Sequence, residues 1–227
     1  MSVLLSNLVA RTPTIEDFHT ISELVEACDI AEQGVADSSM QDLACLWQHY
    51  SFHMESDAWV IVSARKQFAG FACVWHRDHE EFYTFLCVHP QYRKRGIGTL
   101  LLRVAEQHAR ELMRHANRGV RVSLRGVMST NNTQGRSLFE CEGYLMIREF
   151  WRVTLELVES SEDRTSYAGK FGIEIDVKSG QLDGTTRFYD RQGIYSVRQY
   201  VTYEKELCPA EELFACSDDH TKTLIRV

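Results

Sequence analysis

Apolar residues recur along this chain at two spacings, and the switches between them lay out most of its elements. "LVART" (8–12) reads as a short strand. Pro13 and Thr14 then open a run in which Ile15, Phe18, Ile21, Leu24 and Val25 share one helical face. Ser39 and Asp42, followed by Leu43, Leu46 and Trp47, predict a capped second helix. "AWVIVSA" (58–64) and "GFACVWH" (70–76) are strand-type runs around "RKQFA", a predicted hairpin. "FYTFLCVHP" (82–90) is apolar at successive positions, the pattern of a strand covered on both faces. Ile97, Leu100, Leu101, Val104 and Ala105 form a helical stripe that runs to Leu112, and Arg114, Arg118 and Gly119 suit its C-terminal end. "VRVSLRGV" (120–127) is a strand and "NNTQGRSLFECEG" (131–143) a short helix stopped by Gly143. "YLMIREFWRVTLEL" (144–157) is one long strand or two in succession. The order βααβββαβαβ predicts an α/β (α+β) domain over residues 1–157, its sheet flanked by helices.

The composition changes at 158. "VESSEDRTSYAGK" (158–170) is polar and reads as a linker. Residues 171–227 then contain an echo. "LFECEGYLMIREFWRVTLEL" (138–157) aligns without a gap on "FYDRQGIYSVRQYVTYEKEL" (188–207), Gly143 meeting Gly193, Arg148 meeting Arg198 and Phe150 meeting Tyr200. The match predicts a partial internal repeat, a strand–helix–strand fragment. Its strands, 172–178 and 194–206, cannot enclose a core alone. They are expected to join the first domain's sheet or to pair with a second chain as a homodimer, because unpaired edges are a liability.

The bulk numbers narrow the function. The 227 residues are 44% apolar and 25% charged, with a net charge of −7. That balance fits a globular protein and argues against nucleic-acid or anionic-membrane partners, which need a basic surface. Seven cysteines without a CxxC pair predict buried thiols in a reducing compartment. No signal peptide and no run of about 18 apolar residues is evident, so a cytoplasmic location is expected.

Against this acidic background, "YRKRGIGTLLL" (92–102) reverses the sign of the charge and runs straight into a helix. At the end of a buried strand, successive backbone N–H groups and the helix dipole form an anion site. Gly96 and Gly98 let a phosphate approach the backbone, and Arg93 and Arg95 can add charge-assisted hydrogen bonds. A dinucleotide fingerprint is excluded because Leu101 stands where its third glycine would be, and no G-x-x-x-x-G-K-[ST] loop occurs.

"LCVHPQYRKRGIGTLLL" resembles the acetyl-CoA loop of the GNAT N-acyltransferase superfamily, whose [Gln/Arg]-x-x-Gly-x-[Gly/Ala] pattern is filled by Arg93, Gly96 and Gly98. Asn132 before "GRSLFECEGY" is similar to the family's second signature, and the resemblance covers about residues 8–157. The partial repeat resembles the end of a second such domain, as in tandem members of the family. The resemblance implies a GNAT fold and transfer of an acyl group from acetyl-CoA to an amine. It implies a coenzyme site made of Leu86, Cys87, Val88, Arg93, Lys94, Arg95, Gly96, Ile97, Gly98, Thr99 and Asn132, with no metal. A backbone N–H near Val88 would face the oxyanion. The positions where many members carry a strand carboxylate hold Phe82 and Thr84, so the nearby Glu81 and Glu80 are the candidate bases. Phe139 stands where many members carry a tyrosine acid, which leaves Tyr83 as the candidate substitute. His76 and His79 in "HRDHEE" read as a polar turn rather than a metal site. Two functions remain open: an active N-acyltransferase, and a coenzyme A-binding module whose catalysis is lost and which serves sensing or assembly.

Overall fold

A computed structural model describes residues 7–34, 36, 44, 46–157, 169–176 and 194–210. The expected cap at Ser39, most of the 158–170 linker and the helix expected before residue 194 lie outside these residues.

The described strands make one eight-stranded sheet in the order β1-β2-β3-β4-β5-β8-β6-β7. They are β1 (Leu8–Arg11), β2 (Ala58–Ser63), β3 (Phe68–Arg77), β4 (Glu81–Val88), β5 (Val122–Ser129), β6 (Leu145–Leu157), β7 (Gly169–Asp176) and β8 (Ile194–Cys208). Every neighbouring pair is antiparallel except β4 and β5, which run parallel. That one parallel pair needs a crossover, and the helix between them supplies it.

Four α-helices flank the sheet among the described residues. α1 (Phe18–Gln33) buries Ile21, Leu24, Val25 and Cys28. Its approach is fixed by Asp17, which accepts from the Thr14 N–H at 2.7 Å and ion-pairs with Arg11. It ends at Gly34, whose φ of 79° closes the last turn. α2 (Met54–Asp57) is a single turn. α3 (Ile97–Leu112) buries Ile97, Leu101 and Ala105 of the expected stripe; Leu102 and Ala109 join them, while Leu100, Val104 and Leu112 are only partly buried. α4 (Thr133–Cys141) buries Phe139 and is followed by Gly143 at φ 83°.

The core lies on both faces of the sheet. On one, Ile21, Leu24, Val25 and Cys28 pack on Val60, Phe71, Cys73 and Cys87. On the other, Leu102, Ala105 and Ala109 meet Phe82, Leu124, Phe139 and Tyr203. β3 is buried almost throughout because α1 and α3 cover its two sides. No described helix is long and apolar enough to cross a membrane.

β8 is an interior strand. It pairs with β5 from Val122↔Cys208 to Ser129↔Tyr200 and with β6 from Leu145↔Glu204 to Leu155↔Ile194. An ion-pair ladder also binds it: Arg121 bridges Glu204 and Glu206, and Arg125 bridges Glu204 and Glu81 of β4. The two segments that echo one another in sequence are therefore neighbours in one sheet. Phe150 and Tyr200, equated by that alignment, are cross-strand partners with ring centroids 5.7 Å apart. β7 pairs with β6 at the outer edge.

At the end of α2, Asp57 is buried and accepts from the His53 N–H at 2.7 Å, the Ser56 hydroxyl at 2.8 Å and His108 Nε2 at 2.8 Å. Burial alone would raise its pKa. The hydrogen bonds outweigh burial and hold the carboxyl below its ordinary value. A depressed native pKa stabilises the fold above the ordinary carboxylate range, about pH 4, and that contribution is lost as pH falls through the native value. Thermal melts should therefore lose stability below about pH 4, and Asp57→Asn should flatten part of that loss.

Two further outcomes are expected. A Cβ on Gly126 would lie 2.5 Å from the Phe139 ring. Gly126→Ala should cost about 1–3 kcal/mol, read as a lowered melting temperature, and Phe139→Leu in the same chain should recover part of it. Truncation after Leu157 removes the strand between β5 and β6 and should abolish the cooperative melt seen by circular dichroism.

Candidate active site

The parallel pairing of β4 with β5 runs from Glu81↔Ser123 to Thr84↔Gly126 and stops, although β4 continues to Val88 and β5 to Ser129. The strands part over these last residues. On the other side of β4, the His89 N–H donates to Ala69 O at 3.1 Å. In an antiparallel ladder the hydrogen-bonded pairs alternate, so Cys87 and Phe85 face β3, while the backbone groups of Leu86 and Val88 point into the opening.

The basic loop follows directly. A turn at Pro90–Tyr92 is capped by the His89 ring, which accepts from the Gln91 N–H at 3.2 Å. Lys94 and Gly96 both adopt left-handed backbone, at φ 61° and 82°. Only glycine does so without strain, which explains Gly96. The chain then enters α3, and its first intrahelical bond is Leu100 N–H to Gly96 O. The N–H groups of Ile97, Gly98 and Thr99 have no carbonyl a turn behind them. They form the wall of a cavity of about 610 Å3. The start of α4 faces the same space through Thr133, Gln134 and Gly135, and Asn132 caps that helix by accepting from the Gly135 N–H at 2.7 Å. Two helix N-termini thus converge on one cavity, a setting that favours an anion.

A second cavity of about 390 Å3 lies on the other side of the opening, between α1, β4, β5 and β8. Its walls include Trp75, Tyr83, Arg125 and Tyr200. Glu32, Leu86, Cys87 and Asn132 line both cavities and mark where they meet.

The residues anticipated for the coenzyme gather as a group. Leu86, Cys87, Val88, Arg93, Lys94, Gly96, Ile97, Gly98, Thr99 and Asn132 all line the larger cavity. Arg95 does not; its guanidinium lies over the Tyr92 ring, 5.1 Å from the centroid. Arg93 turns inward: Nε donates to Val88 O at 3.0 Å and a terminal nitrogen pairs with Glu32 at 2.9 Å.

The anticipated acid–base residues are dispersed. Tyr83 lines the smaller cavity and donates its hydroxyl to Glu81 at 3.1 Å. Glu81 also pairs with Arg125 at 2.8 Å and lines neither cavity. Glu80 accepts from Asn117 at 2.7 Å and likewise lines neither. Phe139 is part of the core behind Gly126. The His76 and His79 rings stack on one another at 3.9 Å, and no group of three or more His, Cys, Asp or Glu able to hold a metal occurs among the described residues.

Sequence reasoning missed Glu32 and Cys28. Both extend the buried stripe of α1, at four-residue spacing, into the junction. A carboxylate on that stripe was the available signal. Burial raises the Glu32 pKa, with Arg93 opposing and Asn132 adding a hydrogen bond. The Cys28 thiol donates to Val88 O at 3.3 Å. A hydrogen bond with Cys28 and burial together push the Cys87 thiol well above its ordinary value.

A sequence profile of the acetyltransferase (GNAT) family matches residues 19–144, more than half of the chain. No curated protein matches it in sequence. A GCN5-related N-acetyltransferase from Sphaerobacter thermophilus shares its fold with a TM-score of 0.73 at 16% identity, covering 90% of this chain and 97% of that one. The ribosomal-protein-S18-alanine N-acetyltransferase of Escherichia coli aligns with a TM-score of 0.52 at 12% identity, over 88% of this chain and 94% of that one. A phosphinothricin acetyltransferase from Sinorhizobium meliloti, solved with AcCoA, also gives 0.52, at 14% identity, over 88% and 89%. At these identities the structural likeness is one of fold, and the family rests on the profile match. The mixed sheet, the crossover helix with its glycine loop and the matched residues agree: this chain belongs to the acetyltransferase (GNAT) family.

Proposed function

We propose that this protein transfers an acetyl or related acyl group from coenzyme A thioester to an amine by direct attack. The meeting of the two cavities where β4 and β5 part is the observation that carries this reading. The larger cavity suits a long anionic donor and the smaller one an acceptor.

In this reading the pyrophosphate lies against the N–H groups of Ile97, Gly98 and Thr99, with Lys94 at the rim. The pantetheine arm runs along β4 and takes the place of the missing strand partner for the outward backbone groups of Leu86 and Val88. That path ends at Cys87 and Asn132, beside the acceptor cavity. The Val88 N–H then faces the carbonyl oxygen as it becomes an oxyanion, a stabilisation that uses backbone alone. Holding amine and thioester in line supplies the remainder of the rate through proximity. A relative of the same fold was solved with AcCoA, which supports the choice of donor.

One observation favours a second reading. Phe139 has no proton to give, and Glu80 and Glu81 line neither cavity. A coenzyme A-binding module that has lost catalysis would carry these features equally.

A thermal melt with acetyl-CoA, followed by thiol release with an amine panel, separates the readings. At roughly 100 times its dissociation constant the ligand should stabilise the chain by about 2.7 kcal/mol, or roughly 5–10 °C for a protein of this size. A Gly96→Glu, Gly98→Glu double substitution fills the loop with carboxylates and should remove the shift. Binding with turnover supports the enzyme, and binding without turnover supports the module. An unchanged melt at millimolar acetyl-CoA overturns both.

A further inference from the structure

Arg93 is the basic residue that the loop pattern assigns to the donor's phosphates, yet its guanidinium is engaged by a carboxylate at the junction of the two cavities. It pairs with Glu32 at 2.9 Å, and both side chains are largely buried, 20% and 14% exposed. Its Nε also holds Val88 O, one of the outward backbone groups along the donor's path. Among the described residues, Glu32 is the one carboxylate that lines both cavities, and Asp29, one turn earlier on α1, lines the acceptor cavity with it. A positive side chain at the donor loop and a carboxylate at the junction of the two cavities are thus tied together.

We propose that Glu32 is the proton acceptor for the incoming amine, and that Arg93 holds it as a counter-ion until the donor's pyrophosphate draws the guanidinium away. The inference rests on the acyl-transfer reading above. An alkylammonium entering the smaller cavity meets Asp29 and Glu32 and gives one proton to the Glu32 carboxylate. The neutral nitrogen attacks the thioester carbon. The N–C bond forms, the C–S bond breaks and its electron pair leaves on sulfur. The remaining surplus proton on nitrogen goes to the thiolate, so amide and coenzyme A thiol are released, and Glu32 returns its proton to solvent. Arg93 is the largest influence opposing the upward push of burial on Glu32. Its departure makes Glu32 a stronger base when the donor is in place, which orders proton transfer after donor binding.

Calorimetric titration with coenzyme A tests the exchange. In the isosteric Glu32→Gln chain Arg93 has no carboxylate to leave, so coenzyme A should bind roughly fivefold more tightly, the worth of a modest ion pair. A general loss of negative charge near an anion site would also tighten binding. The Arg93→Gln background separates the two: there, Glu32→Gln should add no gain. A gain that persists without Arg93, or unchanged or weaker binding by the single variant, overturns the exchange. The base role is read from thiol release with acetyl-CoA and high n-propylamine. Glu32→Gln should lower kcat by roughly 10²–10⁴ with no rise in the KM for acetyl-CoA. Equal rates in the two chains, including no rate in either, overturn it. Coinciding melts of the ligand-free chains establish that Glu32→Gln is folded; if it is not, Glu32→Ala and Glu32→Asp carry the same comparison, with Asp expected to restore part of kcat. Wild-type protein that fails to bind coenzyme A at all overturns the acyl-transfer reading itself, a different result from any of these.

Discussion

β4 and β5 pair for four residues and then part, and the working surface of this protein follows from that separation. A parallel pair left open exposes backbone groups that must find partners elsewhere. The structure supplies some itself: Val88 O accepts from Arg93 Nε and from the Cys28 thiol. The others are available to an extended ligand that can act as a strand. Phe139 fills the space against Gly126 at the point where pairing ends, so the core packs up to the edge of the opening. α3 and α4 then deliver their N-termini to its mouth. One interruption in a sheet thereby leaves an open run of backbone, a cavity that two helix N-termini face and a passage to a second cavity.

Much of this was legible because it is local. The stripe from Ile97 to Ala109, the glycine at φ 82° and the strand from Glu81 to Val88 each depend on spacing within a few residues. The glycine loop could be read for the same reason: Arg93, Gly96 and Gly98 lie in one strand-to-helix turn. Strand order is a different matter. That Ile194–Cys208 lies between β5 and β6 depends on pairing across long separations, and its resemblance to 144–157 drew attention to a repeat. Neighbouring strands with similar exposure select similar residues, and Phe150 opposite Tyr200 is one result. The smaller cavity was hidden for this reason too, since its walls come from α1, β4, β5 and β8 at once. Glu32 had a sequence signal, a carboxylate in a buried stripe, but its partner Arg93 is 61 residues away.

Several charges among the described residues are arranged in closed groups. Arg125 is shared by Glu81 and Glu204, Arg121 by Glu204 and Glu206, and Lys205 reaches Glu106 at 2.8 Å. These pairs stitch β8 to its surroundings. They also account for Glu81, which Arg125 and the Tyr83 hydroxyl engage in a structural ladder. The pair of Arg93 and Glu32 differs because it stands at the boundary of two cavities and joins the loop to α1.

The interior position of β8 also bears on how the chain is made. β1 to β6 are complete by residue 157, yet β5 and β6 have no strand between them until residues 194–208 leave the ribosome. At about 5–20 residues per second this is an interval of a few seconds. During it the nascent chain presents two long edges and the apolar residues that later cover Tyr203 and Leu207. Closure then requires contacts across long sequence separations, which are slow to form. The last of the described strands sits in the interior of the sheet, so the sheet closes only after residues 194–208 are made. Until then, its principal hazard is another chain with the same open edge.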